Sequence, residues 1–227
     1  MLTFEQRLWA RGNKQLAGVD EAGRGPLAGP VVAAAVVFRK TFLEQEASSL
    51  FKSLTDSKRL TEINRNYFFH LLIESANIEI GIGFGDVSEI DTINILRSTH
   101  KAMARALQNL PFLPDHALID GLPVPDLPCP STAIIKGDSR SLSIAAASVI
   151  AKVTRDQWMK FLDRKYPEYG FKQHKGYCTT GHIHALLKYG SINQHRHSFR
   201  PVRDIDEIRC NSKKSDFKKT KKSSKTA

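Results

Sequence analysis

Acidic side chains stand close to glycines at three separate points of this 227-residue chain. Asp20 and Glu21 end one short apolar run, Asp120 ends another, and Asp138 precedes a long apolar stretch. Adjacent carboxylates repel each other, so a pair at the end of a buried strand indicates a cation beside it. Taken singly, the Asp-Glu pair also suits a surface turn, Asp120 a turn before glycine and Asp138 a helix N-cap.

The composition of this acidic set favours hard divalent cations. No histidine or thiolate accompanies the four carboxylates, and oxygen ligands of this kind select Mg²⁺ or Mn²⁺ rather than zinc. Two such ions about 4 Å apart can activate a water and stabilise the leaving 3′ oxygen of a phosphodiester. We therefore expect phosphodiester hydrolysis without a covalent intermediate. Asp20 and Asp120 are expected to be indispensable ligands, with Glu21 and Asp138 completing a two-metal site.

A glycine-flanked arginine follows the first acidic pair directly. Gly23, Arg24 and Gly25 offer bare backbone groups beside a positive side chain. Such a turn suits close contact with a sugar-phosphate chain.

The charge of the chain favours a polyanionic partner. The formal net charge is +11, and residues 211–227, with seven lysines and one aspartate, carry +6 of it. A basic body and tail are typical of nucleic-acid binding, although charge alone does not distinguish DNA from RNA. The tail cannot offset its ordering entropy, so we expect it to be disordered and to act as an electrostatic tether.

The cysteines and the apolar runs bear on localisation. Cys129, Cys178 and Cys210 are widely spaced, so they suggest neither a disulfide framework nor a zinc knuckle. No apolar run approaches the roughly 20 residues of a membrane-spanning helix. A cytoplasmic protein is expected.

Hydrophobic periodicity predicts an α/β domain. Strands are expected at 16–19, 29–38, 77–85, 116–119 and 132–135, and helices at 61–75, 88–110, 141–164 and 180–189. The glycines of the third strand do not complete a dinucleotide-binding fingerprint, so close packing is their expected purpose. If the first strand is central and the strand ending at Asp120 pairs with it, the carboxylates converge at one end of the sheet.

The expected organisation has four parts. They are an arm or short helix (1–15), a catalytic domain with a mixed five-stranded sheet flanked by helices (16–165), a C-terminal helical substrate-binding region (166–210) and the basic tail (211–227). We expect a monomer.

The motifs of the chain resemble those of bacterial type 2 ribonuclease H. They lie at 18–32, 56–60, 119–121, 136–139, 145–156, 166–171, 174–177 and 195–202. The resemblance implies a ribonuclease H-like fold. It also implies cleavage of the RNA strand of RNA–DNA hybrids and at single ribonucleotides embedded in duplex DNA, leaving 5′-phosphate and 3′-hydroxyl ends.

The resemblance also implies roles for particular residues. Asp20, Glu21, Asp120 and Asp138 match the catalytic metal-binding carboxylates, and Gly23, Arg24 and Gly25 match the turn that recognises the 2′-hydroxyl. Tyr177 matches the aromatic residue that packs on the sugar beside the ribonucleotide. The family usually has glycine at the next position, where this chain has Cys178, and a positive φ there would strain the loop.

Four further residues are candidates for substrate contact, namely Lys58, Lys175, His182 and Arg196. The histidines around position 182 could instead form a zinc site or hydrogen-bonded packing. Two other functions remain open. A non-catalytic nucleic-acid-binding protein would need a broken carboxylate position, and none is broken. Another carboxylate-dependent nuclease of the same fold would have no reason to read a 2′-hydroxyl. The basic tail could also contact a replication or repair partner.

Overall fold

The fold is described from a computed structural model covering residues 1–47, 50–51, 53–54, 57 and 60–223, with only the backbone of 46–47 and 212–223. These residues form two compact units. The first unit comprises Met1–Arg24, Pro30–Asp86 and Ile95–Gln157, and the second comprises Gly25–Gly29, Val87–Asn94 and the chain from Trp158 onwards. The units therefore interleave along the chain, whereas the sequence predicted a continuous catalytic domain over 16–165.

A mixed five-stranded sheet forms the centre of the first unit. Its strands are β1 (Leu16–Ala22), β2 (Val31–Phe38), β3 (Ile78–Gly85), β4 (His116–Asp120) and β5 (Ser131–Ile134). Their order in the sheet is β3-β2-β1-β4-β5. The β1/β2 and β2/β3 pairs are antiparallel, whereas β1/β4 and β4/β5 are parallel. The predicted five-stranded mixed sheet is confirmed.

Six helices of two turns or more accompany the sheet in the described part of the chain. They are α1 (Thr3–Ala10), α2 (Glu62–Glu74), α3 (Val87–Gln108), α4 (Leu142–Lys165), α5 (Thr180–Tyr189) and α6 (Arg200–Ser223). Shorter helical turns occupy Lys40–Phe42, Leu43–Ala47, Gly137–Ser139, Pro167–Tyr169 and Phe171–His174. Within the described ranges, every helix is too short or too polar to cross a membrane.

The glycines of β3 allow α3 to lie directly on the sheet. A Cβ at Gly81 would stand 2.1 Å from the carbonyl oxygen of Ala106, and one at Gly83 would stand 2.0 Å from that of Ala102. The expected close packing of these glycines is confirmed. The predicted helix is not continuous, however, because α3 breaks at Asn94, which has a φ of +69°.

Helix α4 packs equally closely on the central strand. A Cβ at Gly18 in β1 would stand 2.1 Å from the carbonyl carbon of Ser143. The first half of α4 is apolar on all sides and buried, as its alanine-rich sequence predicts. This contact places the beginning of α4 against the strand that ends in the acidic pair.

The N-terminal helix is tied to the start of α4. The main-chain N–H of Leu142 donates to the Met1 carbonyl at 3.0 Å. Buried Glu5 accepts hydrogen bonds at Oε1 from the Ser141 hydroxyl (2.6 Å) and the Ser143 N–H (3.2 Å). The carboxylate thus caps a helix start, and α1 is part of the first unit rather than a loose arm.

The second unit has its own apolar core, formed by residues that include Leu27, Met159, Phe171, Leu186 and Val202. The helix that leaves this core, α6, continues to Ser223. Most of the predicted disordered tail is therefore helical in the structure. Lysine has a good helix propensity and the stretch contains neither glycine nor proline, so nothing in its sequence ends the helix.

Candidate active site

Three predicted carboxylates meet in the first unit. Asp20, Asp120 and Asp138 each present an oxygen, and the three oxygens lie within 4.8 Å of one another. Asp20 and Asp120 stand at the C-terminal ends of β1 and β4, which are parallel neighbours with Val19 opposite Ile119. Asp138 lies in the helical turn that follows β5. The expected convergence at one end of the sheet is therefore observed.

Backbone and hydroxyl donors orient this carboxylate triad. The Gly137 N–H donates to Asp120 Oδ1 at 2.6 Å, and the Glu21 N–H donates to Asp20 Oδ1 at 2.6 Å. The Ser148 hydroxyl, which lies 2.7 Å from that of Ser57, is close to Asp20 and favours its ionised form. Ser148 is not among the residues expected from the sequence, although a polar side chain in the buried half of α4 is a signal for such a role.

The negative charge of the triad favours the binding of a cation. Asp20 is 4% exposed and Asp138 is 9% exposed. Burial, together with the negative charges of Glu21 and Asp120, raises the pKa of Asp20 well above its usual value. A divalent cation would offset this repulsion, and all three donors are carboxylate oxygens. The residues therefore fit Mg²⁺ or Mn²⁺, as the sequence predicted.

The structure does not bring the fourth predicted carboxylate into the triad. Glu21 directs Oε1 towards Arg24 Nη1, at 3.4 Å. Successive side chains of a strand point to opposite faces, which separates Glu21 from Asp20 in β1. Three of the four predicted ligands are together, and metal binding by Glu21 stays a prediction.

The predicted recognition turn combines one buried and two exposed positions. Gly23 is buried with a φ of +97°, while Arg24 and Gly25 are exposed. Within the second unit, a Cβ at Gly25 would stand 3.7 Å from the ring of Tyr177, which is 44% exposed. The glycine keeps this position open, and the tyrosine ring is accessible.

Two predicted substrate-binding residues are buried, so the structure does not support their contact with phosphate. The Arg196 guanidinium donates to the Gly29 carbonyl from Nε (3.0 Å) and Nη2 (2.8 Å), and its own N–H donates to the Leu27 carbonyl. His182 is likewise buried within the second unit. Both side chains make hydrogen bonds within the second unit, because buried polar groups need protein partners.

His182 and His195 form a relay of hydrogen bonds. The Ile192 N–H donates to His195 Nδ1 (3.0 Å), the two Nε2 atoms lie 3.1 Å apart, and His182 Nδ1 lies 3.0 Å from the Tyr177 carbonyl oxygen. Two neutral rings satisfy this chain when each donates once and accepts once. Burial, and then the neighbouring His174, lowers the pKa of His182 to about 4. Burial, and then His182, lowers the pKa of His195 to about 3.

The remaining predicted residues have varied surroundings. Lys175 is half-buried and its Nζ donates to the Lys172 carbonyl. Lys58 lies outside the described residues. Cys178 is exposed and is absent from the positions with positive φ, so the suspected strain after Tyr177 does not occur. The described histidines do not form a metal site with other potential ligands.

The fold and the triad together define a class of protein. A mixed five-stranded sheet that carries clustered carboxylates at the ends of two parallel strands is the arrangement of a metal-dependent nuclease with a ribonuclease H-like fold. Comparison with known families narrows this class. The sequence profile described as ribonuclease HII matches residues 17–202, so the chain belongs to the ribonuclease HII family.

Individual relatives agree with this assignment. The ribonuclease HII of Geobacillus kaustophilus is 50% identical over 205 residues, which cover 90% of this chain and 75% of that protein. The structure of ribonuclease H2 from Pyrococcus horikoshii matches with a TM-score of 0.68 and 28% identity, covering 86% of this chain and 98% of that one. Bst-RNase HIII in complex with Mn²⁺ has the same fold, with a TM-score of 0.70 at 19% identity, covering 86% and 70% of the two chains.

Membership of the family establishes the general activity. The protein is a metal-dependent endoribonuclease that cleaves the RNA strand of RNA–DNA hybrids. The ribonuclease H-like fold that the sequence predicted is confirmed.

Proposed function

We propose that this enzyme also cuts at single ribonucleotides embedded in duplex DNA, by two-metal-ion hydrolysis that leaves 5′-phosphate and 3′-hydroxyl ends. The observation that carries the proposal is the triad of Asp20, Asp120 and Asp138, whose oxygens lie within 4.8 Å of one another. Carboxylates at this spacing can share divalent ions, and two such ions can stabilise the attacking and leaving oxygens of an in-line displacement at a phosphodiester.

Asp20 and Asp120 are proposed as the indispensable ligands, with Asp138 and Glu21 completing the set. Mg²⁺ or Mn²⁺ bound there would supply Lewis-acid activation of a water and stabilisation of the leaving 3′ oxygen. The protein holds the ligands in place beforehand, through the Gly137 N–H on Asp120 and the Glu21 N–H on Asp20. Preorganised ligands need little rearrangement when charge develops in the transition state.

Substrate selection is proposed to reside in the turn formed by Gly23, Arg24 and Gly25. A 2′-hydroxyl is both a donor and an acceptor, and it distinguishes RNA from DNA. The exposed Gly25 allows a sugar to approach the backbone without meeting a side chain. The exposed ring of Tyr177 is proposed to pack on the neighbouring sugar, and Lys58 and Lys175 to contact phosphates.

The decisive experiment uses two duplexes of identical sequence, one all DNA and one with a single ribonucleotide. Each is incubated with the protein and either Mg²⁺ or Mn²⁺, and the cut is mapped. We expect cleavage of the ribonucleotide duplex alone. The cut should leave a 3′-hydroxyl on the upstream fragment and a 5′-phosphate on the downstream fragment. Equal cutting of both duplexes would indicate a carboxylate-dependent DNA nuclease instead.

Asp20→Asn tests the metal-ligand assignment, because it removes one charge and keeps the shape of the side chain. This variant should fold normally and lose activity by about three orders of magnitude or more, since a metal ligand contributes several kcal/mol to the transition state. Near-normal turnover by the variant would refute the assignment of the triad.

The basic C-terminal segment is proposed to strengthen binding non-specifically. Residues 211–227 carry +6 of the net charge of +11. Deleting them should weaken duplex binding and flatten its dependence on salt, since fewer counterions are released. Unchanged binding at low salt would remove this idea. We propose that the same segment contacts a replication or repair partner. We also propose that the enzyme works as a monomer in the cytoplasm.

A further inference from the structure

A buried arginine lies behind the recognition turn within the first unit. Arg155 in α4 is only 1% exposed and is among the largest fully buried side chains of the described chain. Its Nε donates to the Pro30 carbonyl at 3.0 Å. A Cβ at Gly23 would stand 2.0 Å from Nε and 2.3 Å from Cδ of the same side chain. Arg155 therefore touches Gly23, the first residue of the turn, and Pro30, which follows the buried residues 26–29.

The chemistry of this contact requires arginine. Lysine has no donor at the position of Nε, so the Pro30 carbonyl would lose its partner. The flat guanidinium also lies where Gly23 has no side chain, and the φ of +97° at Gly23 is a conformation that suits glycine. The burial of Arg155 excludes contact with substrate, so its charge and size serve the backbone of this segment.

We propose that Arg155 is a positioning residue for ribonucleotide recognition. Held by the Pro30 carbonyl and packed against Gly23, it keeps the backbone of the turn in the shape that accepts a 2′-hydroxyl. This inference rests on the proposed function of the turn and adds to it the residue that maintains its geometry. Arg155 acts through Gly23 and neighbours no carboxylate of the triad in sequence, so its removal should impair recognition of the ribose more than metal binding.

The test measures binding rather than turnover. In the Asp20→Asn background, where the substrate stays intact, fluorescence anisotropy gives the affinity for a duplex with one ribonucleotide and for its all-DNA counterpart. One hydrogen bond to the 2′-hydroxyl predicts a preference of about two- to tenfold for the ribonucleotide duplex. Adding Arg155→Lys should reduce this preference to nearly one. The affinity of the Arg155→Lys protein for Mn²⁺, measured calorimetrically with Asp20 intact, should equal that of the wild type.

Arg164→Lys is the matched control, because it makes the same replacement at an exposed position of the same helix. It should leave both duplex affinities and the Mn²⁺ affinity unchanged. A purely structural role for Arg155 would instead weaken Mn²⁺ binding together with the binding of both duplexes, and this result would overturn the proposal. Retention of the ribonucleotide preference by folded Arg155→Lys would overturn it as well.

A second variant covers the case in which Arg155→Lys does not fold. Gly23→Ala places a methyl group against the guanidinium from the opposite side, and it should also abolish the preference while keeping Mn²⁺ binding. A Gly23→Ala protein that still prefers the ribonucleotide duplex contradicts the inference. If the Asp20→Asn protein itself binds both duplexes equally, the proposed function fails before the Arg155 substitution is made, so the two failures are distinguishable.

Discussion

Lowering the pH from 7 to 5 should destabilise the second unit through His182 and His195. Both rings are neutral in the relay that ends at the Tyr177 carbonyl, and their pKa values are lowered to about 4 and about 3. Protonating either ring would place a second N–H against another donor. In the unfolded chain both rings titrate near their ordinary pKa of about 6.5.

The sign and size of the effect follow from proton linkage. The unfolded chain binds protons first as the pH falls, so the stability contribution is complete above about pH 6.5 and is lost towards pH 4. At pH 5 each unfolded histidine gains about 2 kcal/mol from protonation, while the native rings gain almost nothing. The two histidines together should therefore contribute about 4 kcal/mol less to the free energy of unfolding at pH 5 than at pH 7.

Urea denaturation at pH 7 and pH 5 measures this difference, and NMR of the ring resonances reports the native pKa values directly. In H182Q/H195Q the difference in the free energy of unfolding between pH 7 and pH 5 should shrink by about 4 kcal/mol. This holds whatever stability the variant loses at pH 7. Replacing the exposed His70 by Gln is the control and should leave the difference unchanged. A native titration midpoint near 6.5 for His182 or His195 would refute the reasoning.

Three further outcomes can be measured, the first of them with a comparison variant. Gly83→Ala should destabilise the first unit by about 1–3 kcal/mol in urea, because its Cβ would meet a backbone oxygen of α3 at 2.0 Å. Gly181→Ala, which has open space around it, should instead stabilise its helix by about 0.5–1 kcal/mol. Glu5→Ala should cost about 1–2 kcal/mol in the same assay, since it uncaps α4. Asp138→Asn should weaken Mn²⁺ binding in calorimetry while the protein stays folded.

Each of these outcomes has a clear contrary result. Equal stabilities of Gly83→Ala and the wild type would mean that β3 and α3 are less closely packed than described. A neutral Glu5→Ala would show that Ser141 and Ser143 find other partners, with Gln6→Ala, at an exposed neighbouring position, as the reference. Unchanged Mn²⁺ affinity in Asp138→Asn would remove this residue from the ligand set.

Local patterns were sufficient to predict the frame of the active site. Each strand is a short apolar or alternating run, so all five were located to within about three residues, as is usual for such boundaries. Asp20 and Asp120 each end such a run. Parallel pairing of the two strands then brings the carboxylates together without any knowledge of long-range contacts.

The sequence does not reveal which residues, distant from each other in the chain, are in contact. His182 and Arg196 are polar residues in basic motifs, so contact with phosphate was a reasonable prediction for both. Arg196 instead binds the carbonyl of Gly29, which lies 167 positions away in the chain. A buried arginine and an exposed one have the same local sequence signature, and only the tertiary structure distinguishes them. The same argument applies to Arg155 and Ser148.

The parallel pairing of β1 and β4 also has a consequence for biosynthesis. Asp20 is made early, but its strand neighbour and Asp120 emerge from the ribosome only about a hundred residues later, and its partner Ser148 later still. A nascent chain that stops just before Ser148 contains the acidic residues but lacks the hydroxyl beside Asp20. The carboxylate triad therefore cannot form before Asp138 has been synthesised.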